Sequence, residues 1–264
     1  MSGYLNLLKA IIWREILRFI HQRERFLAAL VRPLVWLFIF ATGFRSALGL
    51  SIIPPYETYI PYETYIVPGL CAMIQLFSAM QSALSIVYDQ EMGAMRLLLT
   101  SPMPRWWVLF CKLVAAVVVS IVQVYAFLLV AYIYGIQLSP MGYIYVLFAL
   151  IFSGLMLGSI GLVLASFIRR LQNFSGIMNF VIFPMFFMSS ALYPLWKIQE
   201  NSPLLFNIAA VNPFTHAVES IRFALYEQPF HPSLIWVTGV FVLCFGLSVW
   251  GFNPKNMLMR RKAQ

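Results

Sequence analysis

"DQEMGAMRLLLTSPMPRWWVLFCK", residues 89–112, is a polar interval in a chain that has few of them. An apolar stretch over 66–88 precedes it and another over 107–134 overlaps its end. Each is long enough to cross the roughly 30 Å hydrocarbon core, which takes about 20 helical residues. Reading the interval as a loop between two membrane spans commits the chain to a bilayer, and composition agrees. Of 264 residues, 61% are hydrophobic and only 10% are charged, against roughly 25% charged in a soluble domain.

Working outward, six spans are expected, over 27–44, 66–88, 107–134, 143–168, 174–196 and 233–251, in an all-α integral membrane protein forming one transmembrane domain. Arg32 and Pro33 interrupt the first span, and Arg32 is expected to snorkel to the headgroups. Basic residues orient the chain. Fifteen of the 18 fall before or at the start of the first span, between spans two and three, between four and five, or after the sixth; only Arg45, Lys197 and Arg222 lie on the other side. Both termini are therefore expected in the cytoplasm, with 197–232 an external loop of short or re-entrant helices. The net charge of +9 is a topology signal rather than a nucleic-acid surface, because it is dispersed over short segments. A cleaved signal peptide is not expected, since the 32 residues ahead of the apolar run at 33–44 are too many for an n-region. Cys71, Cys111 and Cys244 all fall within spans, so no disulfide framework is implied.

Ahead of the first span, residues 4–26 read as an amphipathic helix in the membrane interface. Leu5, Leu8, Ile12, Ile16 and Phe19 form its apolar stripe, with Lys9, Arg14, Arg18 and Arg25 elsewhere and Trp13 at headgroup depth.

Within the opening interval, Asp89 and Glu91 suit a helix start. Met92, Met95 and Leu99 make an apolar ridge, and Ser101-Pro102 with Pro104 stops the helix. Such a helix fits either another protein's groove or a simple elbow. Glu91, Gly93, Leu97, Leu98, Ser101, Pro102, Arg105 and Lys112 together resemble the coupling-loop motif of ABC-2 type transporter permeases. The six spans, the N-terminal helix and Asn212-Pro213 in the last external loop extend the resemblance over nearly the whole chain. Arg96 departs from it, standing where many relatives carry an acid. Within the family, "RERF..ALVRPLVWLFIF" and "NFVIFPMFFMSSALYPLW" look closest to permeases that accompany periplasmic quinoprotein alcohol dehydrogenases.

The resemblance implies a homodimeric permease in a bacterial inner membrane with two copies of a separate ABC ATPase. That partner would bind ATP and magnesium and dock on 89–106 through Asp89, Glu91, Gly93, Arg96, Leu97, Ser101, Pro102 and Arg105. The chain itself holds no P-loop, because none of its five lysines follows a glycine, and no cofactor is expected in it. Rival classes fare worse. Neither Ser153-Gly154 nor Ser175-Gly176 has the glycine two positions earlier that a rhomboid-like serine needs. His216 and Glu219, with Arg222, read as an ion-paired helix surface after an Asn212 cap rather than a metal site. A secondary transporter or channel usually carries an ionisable residue in mid-membrane, and the span centres have none, which suits an amphipathic or lipid-like substrate.

Cys71, Gln75, Ser78, Ser82, Ser85 and Asp89 fall within one arc of the second span. They either bond helix to helix or line a pathway. The resemblance favours the pathway for Gln75, Ser78, Ser82 and Ser85, with Asn179, Phe183 and Phe187 from the fifth span and a kink at Pro184. Gly154 and Gly158 read as a packing face. Finally, residues 55–66 repeat PYETYI, spacing Tyr56, Tyr59, Tyr62 and Tyr65 by three with Glu57 and Glu63 between them. Three prolines argue against one continuous helix. An interfacial aromatic girdle is the expectation, and an external lid rimmed by the two glutamates is the alternative.

Overall fold

In lipid a backbone must satisfy its own polar groups, which leaves helices for a chain with this composition. Among the residues described by the computed structural model (2–21, 23–43, 61–93, 103–168 and 170–252), every regular element is a helix. In chain order they are α1 (Ser2–His21), α2 (Arg23–Gly43), α3 (Tyr62–Glu91), α4 (Arg105–Ile133), α5 (Gly142–Phe167), α6 (Leu171–Phe187), α7 (Leu195–Asn201), α8 (Pro203–Val211), α9 (Pro213–Leu225) and α10 (Ser233–Gly251). Four of these, α3, α4, α5 and α10, are long and apolar enough to cross a membrane. The apolar parts of α2 (Ala29–Ile39) and α6 are shorter.

The α3 helix is the hub, packing on α2, α4, α5, α6 and α9. Its 30 residues run about 45 Å at 1.5 Å each, so it joins a tyrosine end at Tyr62 to a basic end at Glu91. Small residues let neighbours close on α5. Gly154 meets Val117 and the amide of Gln75, and Gly158 lies against Leu113, so the glycine pair serves packing. At the tyrosine end, Gly69 approaches the Ala191 backbone so closely that a Cβ there would sit 2.5 Å from its carbonyl oxygen.

Two boundaries differ from expectation. Asp89 and Glu91 close α3 rather than opening a helix. The apolar run of the second span propagates through them, and their unfavourable position at the negative end of the dipole is offset by partners described below. The fifth span, expected to reach residue 196, ends as a helix at Phe187. Pro184 lies in its last turn, and residues 188–194 form a non-helical turn, buried except at Met188 and Tyr193, before Pro194 caps α7. An apolar run does not distinguish a helix from a well-bonded apolar turn, and here side chains from other helices bond that turn.

The α1 helix lies along the start of α4. Ile11 is buried with Cys111 and Ala115, flanked by Leu7, Leu8, Ile12 and Trp107, while Trp13 is 63% exposed. Trp107 donates its indole N–H to the Tyr4 carbonyl at 3.3 Å. The seated face is turned slightly from the expected stripe, since Leu5 is 52% exposed.

Candidate functional site

At the basic end, the two flanks of the loop are tied to three helices. Lys112, about two turns into α4, places Nζ 2.6 Å from Asp89 Oδ2. Both side chains are largely buried, 5% and 14% exposed, so the pair is screened little. Glu91 Oε2 accepts from the Leu171 backbone N–H at 3.0 Å. That amide is one of the donors a helix start leaves unsatisfied, so the carboxylate caps α6. Gln90 donates to the Ala165 carbonyl in the last turn of α5 at 2.9 Å. Gly93 follows at φ +77°, a left-handed turn that glycine adopts without a Cβ penalty. Arg105 begins α4 and is exposed. Arg96, Leu97, Ser101 and Pro102 lie outside the described residues. Sequence reasoning found Lys112 in a motif without seeing that Asp89 is its partner.

The polar stripe of α3 divides. Gln75 is 1% exposed and works between helices: its Nε2 donates to the Leu150 carbonyl at 2.7 Å, and Ser153 Oγ donates to its Oε1 at 2.6 Å. Lining is not its role here. Ser78, Ser82 and Ser85 instead border an open groove beneath α1, together with Gln81, Gln123, Glu15 and Arg18. Arg18 Nη1 donates to Ser85 Oγ at 3.0 Å. On α6, Asn179, Phe183 and Phe187 are exposed, and Phe183 stacks on Phe187 with centroids 6.1 Å apart.

At the tyrosine end, Pro61 caps α3, so the second PYETYI supplies the start of a helix. Tyr62 and Tyr65 are 2% and 1% exposed. Their hydroxyls donate to the carbonyls of Leu192 (2.8 Å) and Ser190 (2.9 Å), which anchors the turn after α6. This corrects the girdle expectation for these two residues, because buried rings with bonded hydroxyls do not sit at a lipid interface. Glu63 lies half-buried in the same turn, whereas Tyr56, Glu57 and Tyr59 lie outside the described residues.

Arg222 completes the anchor. Its guanidinium lies 4.2 Å over the Tyr65 ring, donates to the Ser190 carbonyl at 2.8 Å and pairs with Glu219 one turn back. The Asn212 cap stands as expected: its Oδ1 accepts from Phe214 N–H, while its Nδ2 donates to the carbonyls of Met185 and Met188. Tyr65, Glu219 and Arg222 border a cavity of about 340 Å³ that Trp196, His216 and His231 also line. His216 stacks on Trp236 and His231 on Phe223. Burial holds both imidazoles below their ordinary pKa, so they are neutral at pH 7.

The described residues therefore hold two braced loop flanks at one end, a bonded turn at the other, and one long helix between them. Comparison with known proteins meets this geometry. The profile of ABC-2 type transporters matches residues 6–226. A chain named as a transport permease, ycf38, from Cyanophora paradoxa is 28% identical over 83% of this chain and 72% of its own length. Its namesake from Pyropia yezoensis is 26% identical over 84% of this chain and 74% of its own. A chain named as a multidrug ABC transporter permease, YbhR, from Escherichia coli strain K12 is 28% identical over 69% of this chain and 48% of its own. Their names do not bear on the narrower likeness to permeases that accompany quinoprotein alcohol dehydrogenases.

Proposed function

Because the chain belongs to the ABC-2 type transporter family, we propose that it is the membrane-spanning permease subunit of an ATP-binding cassette exporter, working with a separate ATPase. The partner binds ATP and magnesium. Two permease copies and two ATPase copies make the working unit, in a bacterial inner membrane with both permease termini in the cytoplasm. The cargo is amphipathic or lipid-like. Export as the direction rests on the family.

One observation carries the coupling role. The Asp89–Lys112 pair joins α3 to α4, and Glu91 joins the same turn to α6. A push on the loop between Glu91 and Arg105 thus acts on three helices at once, through bonds too short to act as slack. Docking through Arg96, Leu97, Ser101 and Pro102 follows the family motif.

The test is co-purification with the ATPase, followed by ATP hydrolysis in vesicles. Glu91→Ala is expected to insert and fold, yet to lose most of the permease-dependent stimulation of hydrolysis. Full stimulation and full ATPase retention in that variant would reduce the loop to an elbow. Mass spectrometry of small molecules retained by the complex would identify the cargo class, and recovery of only highly charged polar solutes would overturn the lipid-like assignment.

A further inference from the structure

The groove beneath α1 is built for a ligand that the transport reading does not require. Two recesses make it up. One, of about 80 Å³, is bordered by Glu15, Arg18, Ser82, Ser85 and Gln123, and the other, of about 40 Å³, by Arg32, Pro33 and Phe77. Ser78 and Gln81 belong to both, so the recesses meet along α3.

Charge in this furrow is positive. Glu15 is already engaged, 2.8 Å from Arg14 and 3.6 Å from Arg18. Arg32 lies over the Phe77 ring at 3.9 Å, and Phe77 is the sixteenth of the thirty residues of α3. Its guanidinium is therefore held near the middle of the longest helix instead of reaching to the helix end as the sequence suggests. A cation at that depth calls for an anion or for water, and among the described residues no carboxylate lines its recess.

A second observation is independent of charge. Gln123 is 3% exposed, and its buried Oε1 has no hydrogen-bond partner among the described residues. An unsatisfied buried acceptor costs about 1–3 kcal/mol, so a donor belongs there. The furrow thus offers guanidinium groups for an anion, an acceptor for an N–H or O–H, and hydroxyls between them. It opens beside a helix that packs along the bundle with Trp13 outward.

We propose that this furrow binds the headgroup of a membrane phospholipid that carries both a phosphodiester and a hydrogen-bond donor. Phosphatidylglycerol and phosphatidylethanolamine have that pairing, whereas phosphatidylcholine has the phosphate without the donor. Arg32 and Arg18 take the phosphodiester, as arginine forks do. Gln123 Oε1 takes the glycerol hydroxyl or ammonium. The small recesses admit the headgroup alone and leave the acyl chains in the bilayer. Binding of this kind needs no ATPase and holds whether or not the lipid is also cargo.

Native mass spectrometry of the detergent-solubilised full chain tests it. The probes are dihexanoyl phosphatidylglycerol, phosphatidylethanolamine and phosphatidylcholine, with inorganic phosphate as the free anion. The first two are expected to bind more tightly than phosphatidylcholine. Arg32→Gln should weaken phosphatidylglycerol binding roughly ten-fold, the scale of one charge-assisted bond. Gln123→Leu should abolish the preference over phosphatidylcholine and leave the phosphate-dependent part. Should Arg32→Gln misfold, Gln81→Leu, which alters an exposed side chain shared by both recesses, serves in its place and should also weaken binding. Inorganic phosphate competing at the same concentration as the lipid would make this a free-anion site and overturn the lipid assignment. Equal binding of all three lipids, or no change in either the arginine or Gln81 variant, would overturn the site itself.

Discussion

Lys112 stands at a position where the sequence shows a motif lysine near the start of an apolar run but no partner for it. Its meaning comes from Asp89, 23 residues earlier, and from burial that no local pattern reports. Breaking a buried pair by removing one partner leaves an uncompensated charge, at a cost of about 3–5 kcal/mol. Lys112→Met is accordingly expected to lower the thermal midpoint in detergent well below that of the parent, and Asp89→Asn combined with it should recover much of the loss. A double variant no better than Lys112→Met would mean that the ion pair contributes nothing beyond packing. The histidines of the opposite end give a pH dependence. His231 Nδ1 accepts from the Ser233 N–H at 3.3 Å, an interaction that needs the nitrogen unprotonated, and burial lowers the pKa of both His231 and His216. With the folded value below the unfolded one near 6.5, the unfolded chain binds more protons in acid. The stabilisation is present above about pH 6.5 and is lost as pH falls below it. Thermal midpoints should drop between pH 7 and 5.5, and replacing both histidines with phenylalanine should flatten that drop.

At the scale of elements, hydrophobic length was legible and helix ends were not. The α3, α4, α5 and α10 bounds lie within a few residues of the expected spans, because a long apolar run in lipid has no alternative to a helix. The end of α6 was hidden because Met188, Ala191 and Leu192 keep the apolar run going around two small serines while the backbone turns. What fixes that turn comes from Tyr62, Tyr65 and Arg222, far away in sequence. The stripe on α3 was legible as a stripe, but its partners were not. Gln75 found Ser153 and the Leu150 carbonyl, whereas Ser78 and Ser82 found an open groove. Cysteines at Ser78 and Ser82 should react with small water-soluble thiol reagents in membranes, and a cysteine at Gln75 should remain protected. Rapid labelling at Gln75 would show that the α3–α5 contact opens in the resting protein.

At the scale of the molecule, the seam of the proposed dimer is expected on the outer face of α6. Phe180, Phe183 and Phe187 are 77%, 55% and 46% exposed, as are several large residues of α10, but α6 also presents Asn173 and Asn179 to the outside. An exposed asparagine on a bilayer helix gains from a partner helix, and α10 carries no comparable group. Oxidation of an Asn179→Cys variant should therefore yield a disulfide-linked dimer in membranes. A cross-link at Val242→Cys on α10 with none at Asn179→Cys would move the seam to the other face.

The doubled PYETYI has a consequence for inheritance. Deleting residues 55–60 or residues 61–66 leaves the same protein, because the two copies are identical. Whichever copy is lost, the survivor still supplies the proline that caps α3 and the two tyrosines that reach Ser190 and Leu192. A gene carrying such a tandem repeat can gain or lose a unit by slippage during replication without altering a single contact of the anchor. The contracted variant should assemble and melt like the parent. Only the length of chain between α2 and α3 would differ from one lineage to the next, a quantity that mutation can tune in steps of six.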